Sequence, residues 1–150
     1  MKILLVSDSH GNCSALDILL KKYPKMDMYL HAGDLEADEK SIVPFDCVKG
    51  NCDRYSFLPE RRIIHTPYGA LLMTHLPYLP PDIAKQYKIK IFIYGHTHTR
   101  KFIEKDGVIW INPGAISYPR DGYDLSYAIL TITSDKVDVE FKQLEENDLK

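Results

Sequence analysis

The chain is poor in cysteine, with three in 150 residues. Cys13, Cys47 and Cys52 form an odd set without a C-x-x-C spacing. That pattern suits reduced thiols and argues against both a disulfide framework and a thiolate zinc site. None of the three is followed by arginine at the spacing of a C-x5-R phosphate loop, so cysteine-phosphatase chemistry has no carrier. Excess basic charge is also missing. Nineteen Lys and Arg against 21 Asp and Glu give a formal net charge of -2, which argues against a general binder of nucleic acids or membrane surfaces. Long apolar runs are absent too. Only four apolar residues follow Met1-Lys2 before Ser7-Asp8, too few for a signal-peptide core, and no run approaches the roughly 20 residues of a membrane span. The expected location is the cytoplasm.

What is present is ordinary in bulk: 45% hydrophobic and 27% charged residues, as in soluble globular proteins. A chain of this length can remove roughly 70% of its unfolded surface from water, and no repeat, linker or compositional break divides it. Residues 1–150 are therefore expected to form a single domain.

Hydrophobic periodicity gives the order of elements. A buried strand over 2–7 leads into a helix over 14–23, where Ala15, Leu16, Ile18, Leu19 and Leu20 recur at helical spacing before Pro24. Short strands are expected over 27–31 and 46–49. Strands over 61–66 and 70–74 flank a Pro67-Tyr68-Gly69 turn, so the sheet content becomes mixed. A short helix over 81–87 precedes a strand over 89–94. Strands over 102–104 and 108–112 then meet at a Lys105-Asp106-Gly107 turn. Strands over 125–133 and 137–144 close the fold, followed by a polar, frayed tail over 145–150.

Five apolar runs end in a small or glycine-flanked step and then a metal-capable side chain. They lead to Asp8 and His10, to Gly33-Asp34, to Gly50-Asn51, to His75, and to Gly95-His96-Thr97-His98. In open α/β sheets, ligands collect beyond the carboxyl ends of strands, so seven N/O ligands should converge on one edge. Asp8, His10, Asp34, Asn51, His75, His96 and His98 are a mixed hard and borderline set. It suits manganese, nickel, iron, zinc or cobalt better than calcium. Two such ions, roughly 3.5–4 Å apart, need a bridging carboxylate and can ionise a bridging water into a nucleophile for in-line attack. Two divalent ions with Asp8, Asp34 and a hydroxide leave one positive charge, which a phosphodiester monoanion neutralises. The same positive centre would stabilise the charge gathering on phosphoryl oxygens.

Asp8-Ser9-His10, Gly33-Asp34, Gly50-Asn51-Cys52-Asp53, His75 and Gly95-His96-Thr97-His98 occur in the order of the calcineurin-like metallophosphoesterases. Ile111-Asn112-Pro113-Gly114 resembles the I-N-P-G turn of the small bacterial and archaeal phosphodiesterases in that superfamily, so the resemblance covers essentially the whole chain. It implies an α/β (α+β) fold in which two mixed β-sheets pack as a sandwich flanked by helices, in four α-β-β-α layers. It also implies that Asp8, His10 and His98 hold one metal, that Asn51, His75 and His96 hold the other, and that Asp34 bridges them. Manganese is the first expectation, and Asp34, Asn51, Cys52 and Asp53 are the expected catalytic residues.

Three departures qualify the resemblance. Cys52 stands where many relatives place a histidine that contacts phosphate and protonates the leaving group, so alkoxide leaving groups should depart slowly and aryl diesters react readily. His75-Leu76-Pro77 replaces the usual H-G-H, and Pro77 holds Leu76 in extended or turn geometry. Asp38 stands four residues after Asp34, where a common pattern has an acid after three, and is assigned no ligand role. Asp53 is expected to orient a ligand through hydrogen bonds.

The remaining candidates carry simpler readings. His31 and His65 match no motif and are read as structural or surface residues. Arg100, Lys101 and Arg120 are read as solvated, with phosphate contact the lesser alternative. Tyr55, Tyr78, Tyr118 and Tyr123 fit a hydrophobic rim or a subunit contact of a homo-oligomer, dimer or tetramer; Tyr127 fits the core. The expected function is a dinuclear metal-dependent phosphodiesterase acting on a small-molecule phosphodiester, with no membrane and no long nucleic acid as partner. Two alternatives stand beside it. One is a small-nucleotide phosphodiesterase or nuclease. The other is a non-catalytic interaction scaffold, because a eukaryotic retromer subunit resembles this subfamily and uses the fold for binding.

Overall fold

The computed structural model describes residues 1–53, 57–122 and 124–144. Tyr55, Tyr123 and the expected tail over 145–150 lie outside the described residues.

Alternation within the apolar runs decides the layering. In β1 (Lys2–Val6), Ile3 and Leu5 face one side and Leu4 and Val6 the other, and all four are fully buried. A strand buried on both faces must lie between layers, which is why it reads as a continuous apolar run. β1 pairs in parallel with β2 (Met28–His31), which pairs in parallel with β3 (Asp46–Cys47). On its other edge β1 is antiparallel to β9 (Ser126–Ile132), and β9 to β10 (Val137–Gln143). The first sheet thus runs β10-β9-β1-β2-β3.

The second sheet runs β4-β5-β6-β8-β7, built from β4 (Arg61–Thr66), β5 (Gly69–Thr74), β6 (Ile89–Ile93), β7 (Arg100–Lys105) and β8 (Val108–Pro113). Here β5, β6 and β8 are parallel, while β4 and β7 pair antiparallel at the edges. Ile3, Leu5, Leu30, Leu71, Met73, Ile91, Ile93, Ile111 and Leu130 fill the space between the two sheets.

Each sheet covers its outer face with one helix. α1 (Cys13–Lys22) lays Ala15, Leu16 and Leu19 over Leu4, Val6 and Tyr127. Its start is fixed by Asn12, whose side-chain oxygen accepts from Ala15 N, and Lys21 and Lys22 complement the dipole at its end. α2 (Pro81–Gln86) sets Ile83 and Ala84 against Leu72 and Phe92. The four-layer α-β-β-α sandwich is therefore present, with thin helical layers. No described helix is long and apolar enough to cross a membrane.

Element boundaries differ modestly from expectation. β3 is two residues rather than four, because Lys49 N turns away to donate to Pro59 O. β7 is longer than expected, since pairing with β8 extends from Arg100↔Pro113 to Lys105↔Val108. A 3-10 turn over Glu39–Ile42 has no apolar periodicity to announce it; Asp38 caps it by accepting from Lys40 N. Tyr127 is fully buried and shares a hydroxyl hydrogen bond with Tyr23, as its core reading requires.

The consequence for function is geometric. β1, β2 and β3 in one sheet, and β5, β6 and β8 in the other, are the parallel strands. The loops leaving the carboxyl ends of β1, β2, β3, β5 and β6 carry Asp8-His10, Asp34, Asn51, His75 and His96-His98 in turn, and Asn112 lies near the carboxyl end of β8 itself.

Candidate metal centre

Asp8, His10, Asp34, Asn51, His75, His96 and His98 come together at that sandwich edge. Asp8 is fully buried; its Oδ2 accepts from Ser7 Oγ and His96 N, while its Oδ1 has no hydrogen-bond partner. That oxygen lies 3.3 Å from His98 Nε2 and 3.9 Å from the Nε2 atoms of His10 and His75. Asp34 Oδ2 is 3.2 Å from His75 Nε2 and 3.8 Å from His10 Nε2, so it stands between the two halves of the cluster. Asn51 Oδ1 is 2.8 Å from His75 Nε2 and 3.1 Å from His96 Nδ1.

The outward contacts of the imidazoles set their tautomers. His75 Nδ1 donates to Ala32 O and His98 Nδ1 donates to Tyr118 O, because a carbonyl can only accept. His10 Nδ1 lies 2.5 Å from Glu36 Oε1 and donates to that carboxylate. In its neutral form each ring turns an Nε2 lone pair inward, toward carboxylate or amide oxygens and toward one another; His10 and His98 Nε2 are 3.4 Å apart. Lone pairs facing lone pairs repel unless a cation or proton lies among them. The donor set, the fixed tautomers and the orphaned Asp8 oxygen together fit divalent metal ions. Asp8-His10-His98 and Asp8-Asp34-His75 each bring ligand atoms within 4.8 Å of one another.

The titrating groups follow from the same geometry. Burial alone would raise the Asp34 carboxyl, but the hydrogen bonds from His75 and Cys52 N and the charges of His75 and His10 hold it down at about 2. Burial would lower His75, yet the Asp34 hydrogen bond and the Asp8 charge outweigh it and push it up. A proton on His75 and a cation in the cluster thus satisfy the same oxygens, and metal uptake competes with protons.

Backbone strain is concentrated here. Apart from Lys88 and Asp106, every described non-glycine residue with positive φ belongs to this site: Asp8, His10, Asp34, Glu36, His96, His98 and Tyr118, between 46° and 68°. Such conformations persist only where the surroundings enforce them. The glycines of two motifs have a steric cause. A Cβ on Gly50 would overlap Asp34 Oδ1 and N, and one on Gly95 would overlap Ser7 Oγ and Asp8 Oδ2. Neighbouring strand-end loops approach too closely there for any side chain.

Asp53 points away from the ligand cluster into a nest of amides. Its Oδ2 accepts from Asp34 N, Leu35 N and Gly50 N, and its Oδ1 from Glu36 N. It ties the loop carrying Asp34 to the loop carrying Asn51. Cys52 is exposed; its backbone N–H donates to Asp34 Oδ1, and its thiol is raised to about 11 by partial desolvation and by the charges of Asp34 and Glu36. The thiol stays protonated at neutral pH.

Three supporting residues were not singled out from the sequence. Glu36 orients His10, but it stands two residues after Asp34, outside the spacing searched for an acid. Asn112, visible in the sequence only as part of a turn motif, donates to Gly95 O and Thr97 Oγ1 and fixes the loop that carries His96 and His98. Ser117 donates to Ser9 O and holds the loop after β1. Tyr78 and Tyr118 are exposed at the rim, and Tyr118 sets its ring 5.8 Å from that of His10. Arg100 lies over the Phe141 ring. His65 is exposed on β4.

His31 is structural. Its Nδ1 accepts from Gly33 N, so its Nε2–H donates to Ser9 Oγ, and desolvation lowers its pKa from 6.5 to about 4. Below pH 6.5 the unfolded chain takes up a proton that the native ring refuses until about pH 4. Stability therefore falls as pH drops through that window, by about 3 kcal/mol in full. His31→Asn keeps an acceptor for Gly33 N. Urea unfolding of the metal-stripped proteins should give a stability difference that narrows by that amount between pH 7 and pH 4; parallel curves would refute the assignment.

Residues 1–135 match the sequence model of the calcineurin-like phosphoesterase superfamily domain, and the chain belongs to this family. Among its relatives is a Bacillus subtilis protein named as a probable metallophosphoesterase, YsnB, 30% identical over all of this chain and 95% of that one. Another is the Escherichia coli phosphodiesterase YfcE, 23% identical over 87% of each chain. A crystal structure of a predicted phosphoesterase from Streptococcus pneumoniae superposes with a TM-score of 0.84 at 28% identity, covering 95% of this chain and 88% of that one.

Proposed function

We propose that this phosphoesterase is a dinuclear metal-dependent phosphodiesterase acting on small phosphodiesters. The observation that carries the reading is Asp8 Oδ1, a buried carboxylate oxygen without a hydrogen-bond partner, faced by the inward nitrogens of His10, His75 and His98. Asp8, His10 and His98 would hold one ion, Asn51, His75 and His96 the other, and Asp34 would serve both. Two divalent ions of the manganese, nickel, iron, zinc or cobalt group would supply a water nucleophile ionised near neutral pH and neutralise charge on phosphoryl oxygens.

The chain's own residues do the rest. Glu36, Ala32 O and Tyr118 O fix the histidine tautomers so that unprotonated nitrogens face the site. Asp34 remains ionised throughout the neutral range. Asp53 and Asn112 hold the loops in register. With Asp8 and Asp34 as the carboxylates that would hold it, a pair of divalent ions stays net positive and suits the single charge of a diester. The named phosphodiesterase among the relatives supports the same substrate class.

The test is hydrolysis of bis-p-nitrophenyl phosphate and p-nitrophenyl phosphate by protein stripped of metal and reloaded with manganese or nickel. Metal-dependent turnover with the diester preferred is expected; no turnover of either substrate would sink the reading and favour a non-catalytic scaffold. Cys52→His should leave aryl diesters nearly unchanged and speed diesters with alkyl leaving groups by about a hundredfold, the lower range for a general acid. Equal rates for Cys52→His and wild type on alkyl diesters would show that leaving-group protonation is not what position 52 limits.

A further inference from the structure

The outer face of the second sheet, where Leu72, Phe92, Val108 and Trp110 alternate with residues of the central core, is only partly covered by the six-residue α2. Between α2 and the β7–β8 hairpin lies a cavity of about 840 Å³. It opens at the amino ends of β6 and β8, whereas His75 and His96-His98 follow the carboxyl ends of β5 and β6. The five residues of β6 hold the two places apart by roughly 16 Å.

Four lysines line the cavity: Lys85 from the last turn of α2, Lys88 and Lys90 from the entry into β6, and Lys105 from the hairpin. Four cations against Asp106 leave a surplus of three positive charges in a chain of net charge -2. Among the described residues, none of the four forms an ion pair. Lys105 lies instead 5.5 Å from the centroid of the Trp110 ring. Ammonium groups gathered without counter-charges repel one another and concentrate anions from solution.

Two further observations concern the same walls. Trp110 is half-buried, and its Nε1–H is buried without an acceptor; Tyr78, 65% exposed, offers a second ring. Lys88 follows the C-cap of α2 at a φ of 52°, the left-handed position where helices usually place glycine. A Cβ crowds the backbone there, so chain reversal alone favours glycine over lysine.

We propose that this cavity is a second binding site, separate from the metal centre, for an anion that carries a planar ring: a nucleoside polyphosphate. Its phosphates meet Lys85, Lys88, Lys90 and Lys105, and its base meets Trp110 and Tyr78. A ring without phosphates would leave the ammonium groups unmatched, and phosphates without a ring would leave the aromatic walls unused. No histidine is among the described residues of the lining, and Asp106 is their one carboxylate, so the ligand is held there rather than cleaved.

Trp110 is the single tryptophan of the chain, so its fluorescence reports on this cavity and not on the metal centre. The test titrates ATP into protein stripped of metal with EDTA, exciting at the red edge of the indole band and correcting for absorption by adenine. Saturable quenching is expected, and Asp34→Asn should retain it. Lys85→Gln, Lys90→Gln and Lys105→Gln together should weaken binding by about tenfold at low salt, the combined effect of three exposed charge contacts. Adenosine and tripolyphosphate, each alone, should bind about tenfold more weakly than ATP or worse. Lys88→Gly should raise the urea midpoint and yet weaken ATP binding, a combination that damage to the fold cannot produce. Absence of saturable quenching, ATP binding unchanged in the glutamine variant, or tripolyphosphate binding as tightly as ATP would overturn the proposal.

Discussion

Asp34→Asn is expected to abolish paired metal binding and to lower phosphodiester hydrolysis by at least a hundredfold, on the order of what loss of one key electrostatic contact costs an active site. The reason is position. Asp34 Oδ2 stands between His10 Nε2 and His75 Nε2, while Oδ1 is engaged by Cys52 N. The amide keeps the side chain's shape but removes the negative charge that two neighbouring cations would share, and turns a lone pair into an N–H donor on one side. Metal analysis after dialysis should find the variant retaining less metal per chain than wild type, with its circular dichroism unchanged. Full activity with both ions retained would refute the bridging role.

Asp53→Ala is expected to have the largest effect on stability, roughly 3 kcal/mol or more, because it strands several buried amides at once. Asp34 N, Leu35 N, Glu36 N and Gly50 N all donate to this carboxylate, which is almost fully buried. A carboxylate can accept from several donors; an alanine from none, and the tight approach of Gly50 to Asp34 leaves little room for replacement water. The loops carrying Asp34 and Asn51 should lose their register, so metal affinity should fall with stability. Asp53→Asn retains one acceptor oxygen and should recover part of both. Chemical denaturation and metal titration on the same samples check this; a wild-type midpoint for Asp53→Ala would show that the amides find other partners.

The fold was legible where local patterning and tertiary burial agree. The apolar runs of β1, β5, β6 and β9 are buried on both faces, so composition alone marks them as internal strands. The turn at Pro67-Tyr68 and the start of α2 at Pro81 carry their own chemistry. β3 was overextended because nothing local reveals that Lys49 bonds to Pro59 rather than to its neighbouring strand. The 3-10 turn over Glu39–Ile42 was missed because four residues are too few to show a period.

The ligand types were legible for the same reason that the strands were. Each follows an apolar run, and parallel strands deliver their carboxyl ends to one edge of the sandwich. What holds those ligands was not. Glu36 reaches His10 across 26 positions, Tyr118 O reaches His98 across 20, and Asn112 reaches Gly95 across 17. No spacing rule links such pairs, because loops from different strands set their distances.

By itself the sequence determined which atoms can bind metal, since side-chain chemistry does not depend on the fold. Strand periodicity also placed those atoms at strand ends. Only the tertiary structure decided that Asp8 Oδ1 would be buried without a partner, that the histidine tautomers would turn lone pairs inward, and that Asp53 would face amides. It also gathered Lys85, Lys88, Lys90 and Lys105 around one cavity in a chain whose net charge is slightly negative. Net charge is a sum over the chain, whereas the field that meets a phosphate depends on distance, and distance is set by how the two sheets pack.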